Sequence, residues 1–131
     1  MLRVAFGVWV LEHRYVLKRC EVGRGQSVLA RARDDKFIVI GLDSTVSNET
    51  RYTSAAAPAA FQVLAPRARD VEYDADHHGG RWVIRTNDGG AKNFKIVTAA
   101  DGSSSRKDWK DWIAHDPQVY VEGIELFDGH A

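Results

Sequence analysis

Two stretches of this chain read as copies of one another, and that repeat limits the fold more than any other feature. KFIVIGLDS (36–44) resembles RWVIRTNDG (81–89), a shift of 45 residues, and ETRYTSA (49–55) resembles NFKIVTA (93–99), a shift of 44. FQVLAPR (61–67) resembles DWIAHD (111–116), a shift of about 49. A further strand precedes each copy, SVLAR (27–31) and VEYDADH (71–77). Four short strands recurring every 40–50 residues are the pattern of a β-propeller blade. A twisted four-stranded sheet has two faces that one copy cannot cover, so neighbouring copies must stack on it.

Apolar residues recur at spacing two, and β-branched and aromatic types fill the apolar runs. Candidate strands fall at 6–10, 15–21, 27–31, 37–42, 49–53, 61–64, 71–77, 81–86, 94–99, 109–113 and 119–127. Turn residues separate them, among them His78-Gly79-Gly80, Asn87-Asp88-Gly89-Gly90 and Asp101-Gly102-Ser103. No segment keeps a 3.6-residue period for three turns; the best helix candidate is a single turn within 105–111 that feeds a strand. The expected fold is all-β, a partial β-propeller of about two four-stranded antiparallel blades at 27–66 and 70–115. Incomplete blades flank them at 6–21 and 119–127, so the chain is expected to begin and end inside a blade. It reads as a segment of a larger object.

Composition narrows the function classes. The 131 residues carry 18 basic and 18 acidic side chains, so the basic excess of a dedicated nucleic-acid binder is missing. The charge is unevenly spread: residues 1–36 hold eight basic and four acidic side chains, and 37–131 hold ten and fourteen. Arg24, Arg31 and Arg33 read as a solvated basic face, with an acidic partner as the lesser alternative. Cys20 is the single cysteine, which excludes an intrachain disulfide and a multi-cysteine zinc site, and it reads as a buried thiol. The apolar start is broken by Glu12, His13 and Arg14, unlike a signal peptide, and no apolar run approaches the roughly 18 residues of a membrane span. A cytoplasmic protein with no membrane or nucleic-acid partner is expected.

The repeat residues also carry a family resemblance. EYDADHHGGRWVIRTNDGGAKNFKIVTA (72–99) resembles the propeller of the oligopeptidase B branch of the prolyl oligopeptidase family, through Glu72-Tyr73-Asp74, Arg85-Thr86-Asn87 and Lys92-Asn93-Phe94. KFIVIGLDSTVSNETRY (36–52) and RKDWKDWIAHDPQVYVEGIELF (106–127) are similar to the same branch in the same order, while residues 1–24 match poorly and Ala100 stands where that branch usually has proline. The resemblance implies a seven-bladed propeller capping an α/β-hydrolase domain, in a serine endopeptidase that cleaves after Lys or Arg. In that setting the propeller gates access, so that short basic peptides enter and folded proteins do not. The triad belongs to the hydrolase domain.

No catalytic, cofactor-binding or metal-ligating residue is expected in this chain, and no cofactor. Asp101-Gly102-Ser103-Ser104-Ser105-Arg106 lacks the Gly-x-Ser-x-Gly of a nucleophile elbow, and nothing places a His and an acid beside it. Asp74, Asp76, His77 and His78 form the one metal-like cluster. On a strand, Asp74, Asp76 and His78 share a face with about 6.5–7 Å between alternate residues, which suits a polar strand lining a channel better than one ion. There, acidic residues would steer basic peptides. A stand-alone hydrolase using Asp74 and His77 is the weakest reading. Asn87-Asp88-Gly89-Gly90-Ala91-Lys92 lacks the spacing of a phosphate-binding loop and reads as a hairpin connection, with Asn87 bonding the turn backbone. Trp82, Trp109 and Trp112 read as packing between blades rather than a stacking platform.

A different class of function is a self-associating structural or protein-binding β-module without enzymatic activity. Exposed blade edges and faces invite association, and Phe37, Val39, Phe94 and Ile96 are expected to be poorly covered in a monomer. A homo-oligomer is the expected partner state, with peptides bound only in the context of the full enzyme.

Overall fold

The structure is a computed structural model. It describes the backbone of residues 10–11, 14–15, 19–22 and 25–30 and every residue from 31 to 127. The proposed burial of Cys20, the solvated role of Arg24 and most of the strand expected at 6–10 lie outside that description.

Eleven strands follow in chain order: β1 (Val10–Leu11), β2 (Arg14–Tyr15), β3 (Arg19–Val22), β4 (Gly25–Arg31), β5 (Phe37–Asp43), β6 (Asn48–Ser54), β7 (Gln62–Val63), β8 (Tyr73–His78), β9 (Arg81–Thr86), β10 (Lys95–Ala100) and β11 (Lys110–Ile113). They form a hairpin of β1 and β2, a sheet in the order β3-β4-β5-β6-β7, and a sheet in the order β11-β10-β9-β8. Every pairing is antiparallel between neighbours in sequence. Among the described residues the helical turns are the 3₁₀ turns Asp88–Gly90 and Arg106–Asp108. The all-β fold of a partial propeller is therefore what the sequence forms, and the second of these turns feeds β11 as expected.

Strands β4 to β7 and β8 to β11 follow the two repeats within a few residues. The alternation that predicted them also sets their packing. In β9, Trp82 and Ile84 face the first sheet while Val83 and Arg85 face away. The turn from β8 to β9 is tight because Gly79 and Gly80 both take positive φ (62° and 76°), as the favoured two-residue hairpin turn requires. Between the sheets, Val39, Tyr52, Leu64 and Ala65 from one side meet Tyr73, Trp82, Ile84, Val97 and Ala99 from the other in one buried cluster.

Three expectations need correction. Strand β3 pairs with β4 across Arg19–Val28 to Val22–Gly25, so it extends the first four-stranded unit rather than belonging to a preceding blade. Residues 119–127 form no named strand; apart from bridge positions at Val119 and Phe127 they run without regular pairing over the outer face of the second sheet. There Leu126, Val121 and Ile124 pack on Val83 and Ile96. That covering segment and the sheet-on-sheet contact also overturn the expectation of poor cover. Ile96 is 1% exposed, Val39 and Phe94 are buried, and Phe37 packs at the edge of the core between the sheets.

Candidate functional site

The polar groups singled out on β8 meet different partners, and two of them tie the sheets together. Asp74 pairs with Arg85 at 3.2 Å. Asp76 accepts from the backbone N–H of Arg33 at 2.7 Å and from that of His77 at 2.8 Å. The His77 ring is wholly buried, with Nδ1 2.6 Å from Asp34 Oδ2 and Nε2 2.5 Å from Asp101 Oδ1. These residues surround no common point, and among the described residues no group of three His, Cys, Asp or Glu side chains is arranged to hold a metal ion. Alternation is retained: Tyr73 and His77 are buried while Asp74 between them is exposed.

Asp34 comes from the β4–β5 turn and Asp101 from the end of β10, 43 and 24 residues from His77. Phe37 and Trp82 pack edge-on against the imidazole, with ring centroids 4.7 and 5.0 Å away. Each ring nitrogen thus has a carboxylate oxygen as its partner, one from each of two turns. The backbone N–H of Asp34 also donates to the His77 carbonyl at 3.3 Å. Sequence reasoning placed His77 on the face opposite Asp74 and missed this bridge. The one signal for it was an aspartate in each of two turns.

Tyr73 begins β8 and fixes the other end of the seam between the sheets. The Asn48 side chain donates to the Tyr73 carbonyl at 2.7 Å and accepts from its N–H at 2.8 Å, as a neighbouring strand would. The Tyr73 hydroxyl donates to the Ala65 carbonyl at 2.9 Å and accepts from the Thr50 N–H at 2.7 Å. Burial raises the Tyr73 phenol above its ordinary value of 10.0, an effect the hydrogen bonds from Thr50 oppose. The Tyr52 phenol is raised too, first by burial and then by the Asp101 charge. Beside Tyr73 opens a cleft of about 360 Å³ whose lining includes Asp43, Asn48, Glu72 and Asp74. Three carboxylates at one mouth favour cationic ligands.

Arg85 holds the covering segment. Its Nε donates to the Val121 carbonyl at 2.6 Å, and its guanidinium lies 3.7 Å from the Phe94 ring centre. Phe94 has a positive φ of 63°, uncommon for so large a side chain. The other sites read from sequence are structural or exposed. Asn87 bonds the Glu72 N–H and the Asp70 carbonyl rather than its own turn. Ser103 is buried against the Ser105 carbonyl and Asp108. Trp82 is wholly buried and Trp109 packs at the core edge, but Trp112 is 43% exposed under the Arg81 guanidinium rather than packed between blades. Arg33 is exposed and lies over the Phe127 ring, and Arg31 pairs with Asp35 at 3.4 Å.

Comparison with known proteins agrees with this architecture. Residues 22–131 match the family described as prolyl oligopeptidase, N-terminal β-propeller domain. A dipeptidyl aminopeptidase BI of Pseudoxanthomonas mexicana is 68% identical over 101 residues, which is 77% of this chain and 14% of that protein. Oligopeptidase B from Leishmania major has a TM-score of 0.68 at 28% identity, over 76% of this chain and 14% of that one. Oligopeptidase B from Trypanosoma brucei, in a closed form with covalently bound antipain, has a TM-score of 0.67 at 22% identity, over 79% of this chain and 15% of that one. One of two prolyl endopeptidases analysed for inter-domain dynamics has a TM-score of 0.72 at 16% identity, over 82% of this chain and 16% of that one. The last two likenesses speak for the fold alone. The chain spans 14% of the curated relative's length.

Proposed function

The chain belongs to the prolyl oligopeptidase family, as part of its N-terminal β-propeller, and from that premise we propose that it is a non-catalytic wall segment gating short peptides to a separate hydrolase domain. The observation that carries this reading is the family match over 22–131, joined to a site chemistry of inter-sheet ties. His77, the one buried histidine among the described residues, is occupied on both nitrogens by aspartates, so neither nitrogen faces a serine. The carboxylates Asp43, Glu72 and Asp74 at the cleft support a preference for basic peptides. For the whole enzyme, 68% identity favours cleavage of the dipeptidyl aminopeptidase type over endopeptidase cleavage after Lys or Arg of the oligopeptidase B type.

A chimera tests this. The matching segment of the Pseudoxanthomonas mexicana enzyme is replaced by this chain and assayed on basic peptides of increasing length, with free and with blocked amino termini. The expected result is cleavage of short peptides with free termini, exclusion of long ones, and no fluorophosphonate labelling of this chain alone. Labelling of the chain alone, or a chimera indifferent to peptide length, would defeat the reading. Cleavage of blocked peptides would transfer it to the endopeptidase type.

A second reading, self-association without catalysis, is favoured by one specific surface. Trp112 and Ile113 are exposed on β11, at the edge of its sheet among the described residues, and Val119 and Tyr120 are exposed in the segment that follows it.

A further inference from the structure

The two polar ties across the seam lie at opposite ends of β8, and they differ in kind. At the Tyr73 end the partners are neutral and doubly bonded: Asn48 takes both backbone groups of Tyr73, and the Tyr73 hydroxyl bridges Thr50 and Ala65. At the His77 end the ties involve carboxylates: Asp76 accepts from the Arg33 N–H, and a buried ring lies between Asp34 and Asp101. The two ends lie four positions apart, about 13 Å of strand. The ring itself is inaccessible, whereas the Asp101 side chain is 46% exposed and the Asp34 side chain 17%. Water therefore competes far more for the Asp101 carboxylate than for that of Asp34.

We infer that the seam between the two blades is hinged at Asn48/Tyr73 and latched at Asp34–His77–Asp101, with Asp101 as the exposed trigger of the latch. Asp101 holds the ring at Nε2 while Nδ1 meets Asp34, so the two carboxylates fix the imidazole between them. When Asp101 turns to solvent, Nε2 loses its partner, the ring is held from one side only, and the hold on Asp34 weakens. The turn carrying Arg33 and Asp34 then lifts from β8 and uncovers the Phe37–Trp82 contact, whose ring centres lie 5.2 Å apart. The hinge end stays closed because its bonds involve no charged group. Asp101 is thus a positioning residue acting through His77. The inference concerns the seam alone and stands whether or not the chain gates a peptidase.

Backbone amide exchange followed residue by residue in the full chain tests it, since each end carries its own reporters. The N–H groups of Arg33 and Asp34 bond Asp76 and His77 at the latch, and those of Tyr73 and Thr50 bond Asn48 and Tyr73 at the hinge. In the unmodified chain the latch amides are expected to exchange faster than the hinge amides; equal protection at both ends overturns the inference. In Asp101→Ala the latch amides are expected to exchange about tenfold faster or more, the effect of losing a hydrogen bond to a charged group, with hinge amides unchanged. Asp101→Asn, which can still bond Nε2 from either of its polar atoms, is expected to restore the latch. Acceleration at both ends together, or at neither, would show that Asp101 is no trigger, and the unmodified-chain comparison decides the matter if the alanine variant does not fold.

Discussion

The side-chain amide of Asn48 satisfies both backbone polar groups of Tyr73, donating to the carbonyl at 2.7 Å and accepting from the N–H at 2.8 Å. Asn48 opens β6 in one sheet and Tyr73 opens β8 in the other. A single side chain thus stands in for the backbone pairing that the strands of separate sheets cannot make. Asn48→Ala removes both bonds and leaves two half-buried backbone groups to find water. The expected cost is about 1–3 kcal/mol, which at about 4–8 °C per kcal/mol is a drop readable in a thermal melt. Asn48→Asp keeps the acceptor but sets a carboxylate against the Tyr73 carbonyl, and should be no better than alanine.

Tyr73 predicts how stability responds to alkali. Its phenol is raised from 10.0, mainly by burial, so the folded state keeps a proton that the unfolded chain loses first. The stabilisation is therefore complete below about pH 10 and is lost as pH rises through the folded value. Tyr52 is shifted in the same direction and adds to the slope. Urea midpoints measured from pH 8 to 11 should be level at first and then fall. Tyr73→Phe should make the fall shallower, while lowering stability at neutral pH by about 1–2 kcal/mol through the loss of its bonds to Thr50 and Ala65.

The sheets were legible in the sequence because their information is local. Alternation and turn residues located β4 to β11, and the 45-residue shift paired the copies. The ties between sheets were not legible, for a physical reason. A bridge such as Asp34–His77 joins positions 43 residues apart, and its formation depends on how two twisted sheets rotate against each other. The same limit explains residues 119–127. Their composition suits a strand, but their backbone hydrogen bonds go elsewhere: the N–H of Val121 to Asn93 and the carbonyl of Val121 to Arg85. Trp112 looked like core because tryptophan usually is, yet it lies on an edge strand whose four residues are all exposed.

Arg85 should prove to be the fastener of the 119–127 segment. It donates to the Val121 carbonyl, pairs with Asp74 and stacks on Phe94. Arg85→Ala removes all three contacts and should cost about 1.5–3 kcal/mol, the range for a hydrogen bond that involves a charged group. Asp74 is largely solvent-exposed, so the aspartate left behind is not a stranded charge. Arg85→Lys keeps the charge but not the planar stack or the directed Nε–H, and should recover little. Limited digestion with a glutamate-specific protease gives a direct reading. Cleavage after Glu122 and Glu125 should accelerate in both variants, and unchanged cleavage would show that Leu126 and Ile124 hold the segment without the arginine.

Self-association should depend on β11 rather than on the sheet faces. Phe37, Val39, Phe94 and Ile96 were the residues expected to seek a partner, yet the facing sheet and the 119–127 segment already cover them. The most exposed apolar residues include Ile113, Val119 and Tyr120, and Ile113 and Trp112 lie on a strand that among the described residues pairs on one side only, to β10. An edge of that kind offers unpaired backbone groups to another copy, and a lysine on the edge is an effective way to block such pairing. Light scattering after size exclusion should therefore show oligomers of the chain that Ile113→Lys reduces to monomer with no change in its melting temperature. Ile113 is half exposed, so the lysine meets no packing conflict. Val39→Lys is the contrasting variant: placed in the core between the sheets, it should unfold the chain rather than release a partner. If Ile113→Lys leaves the oligomer intact, association proceeds through some other surface.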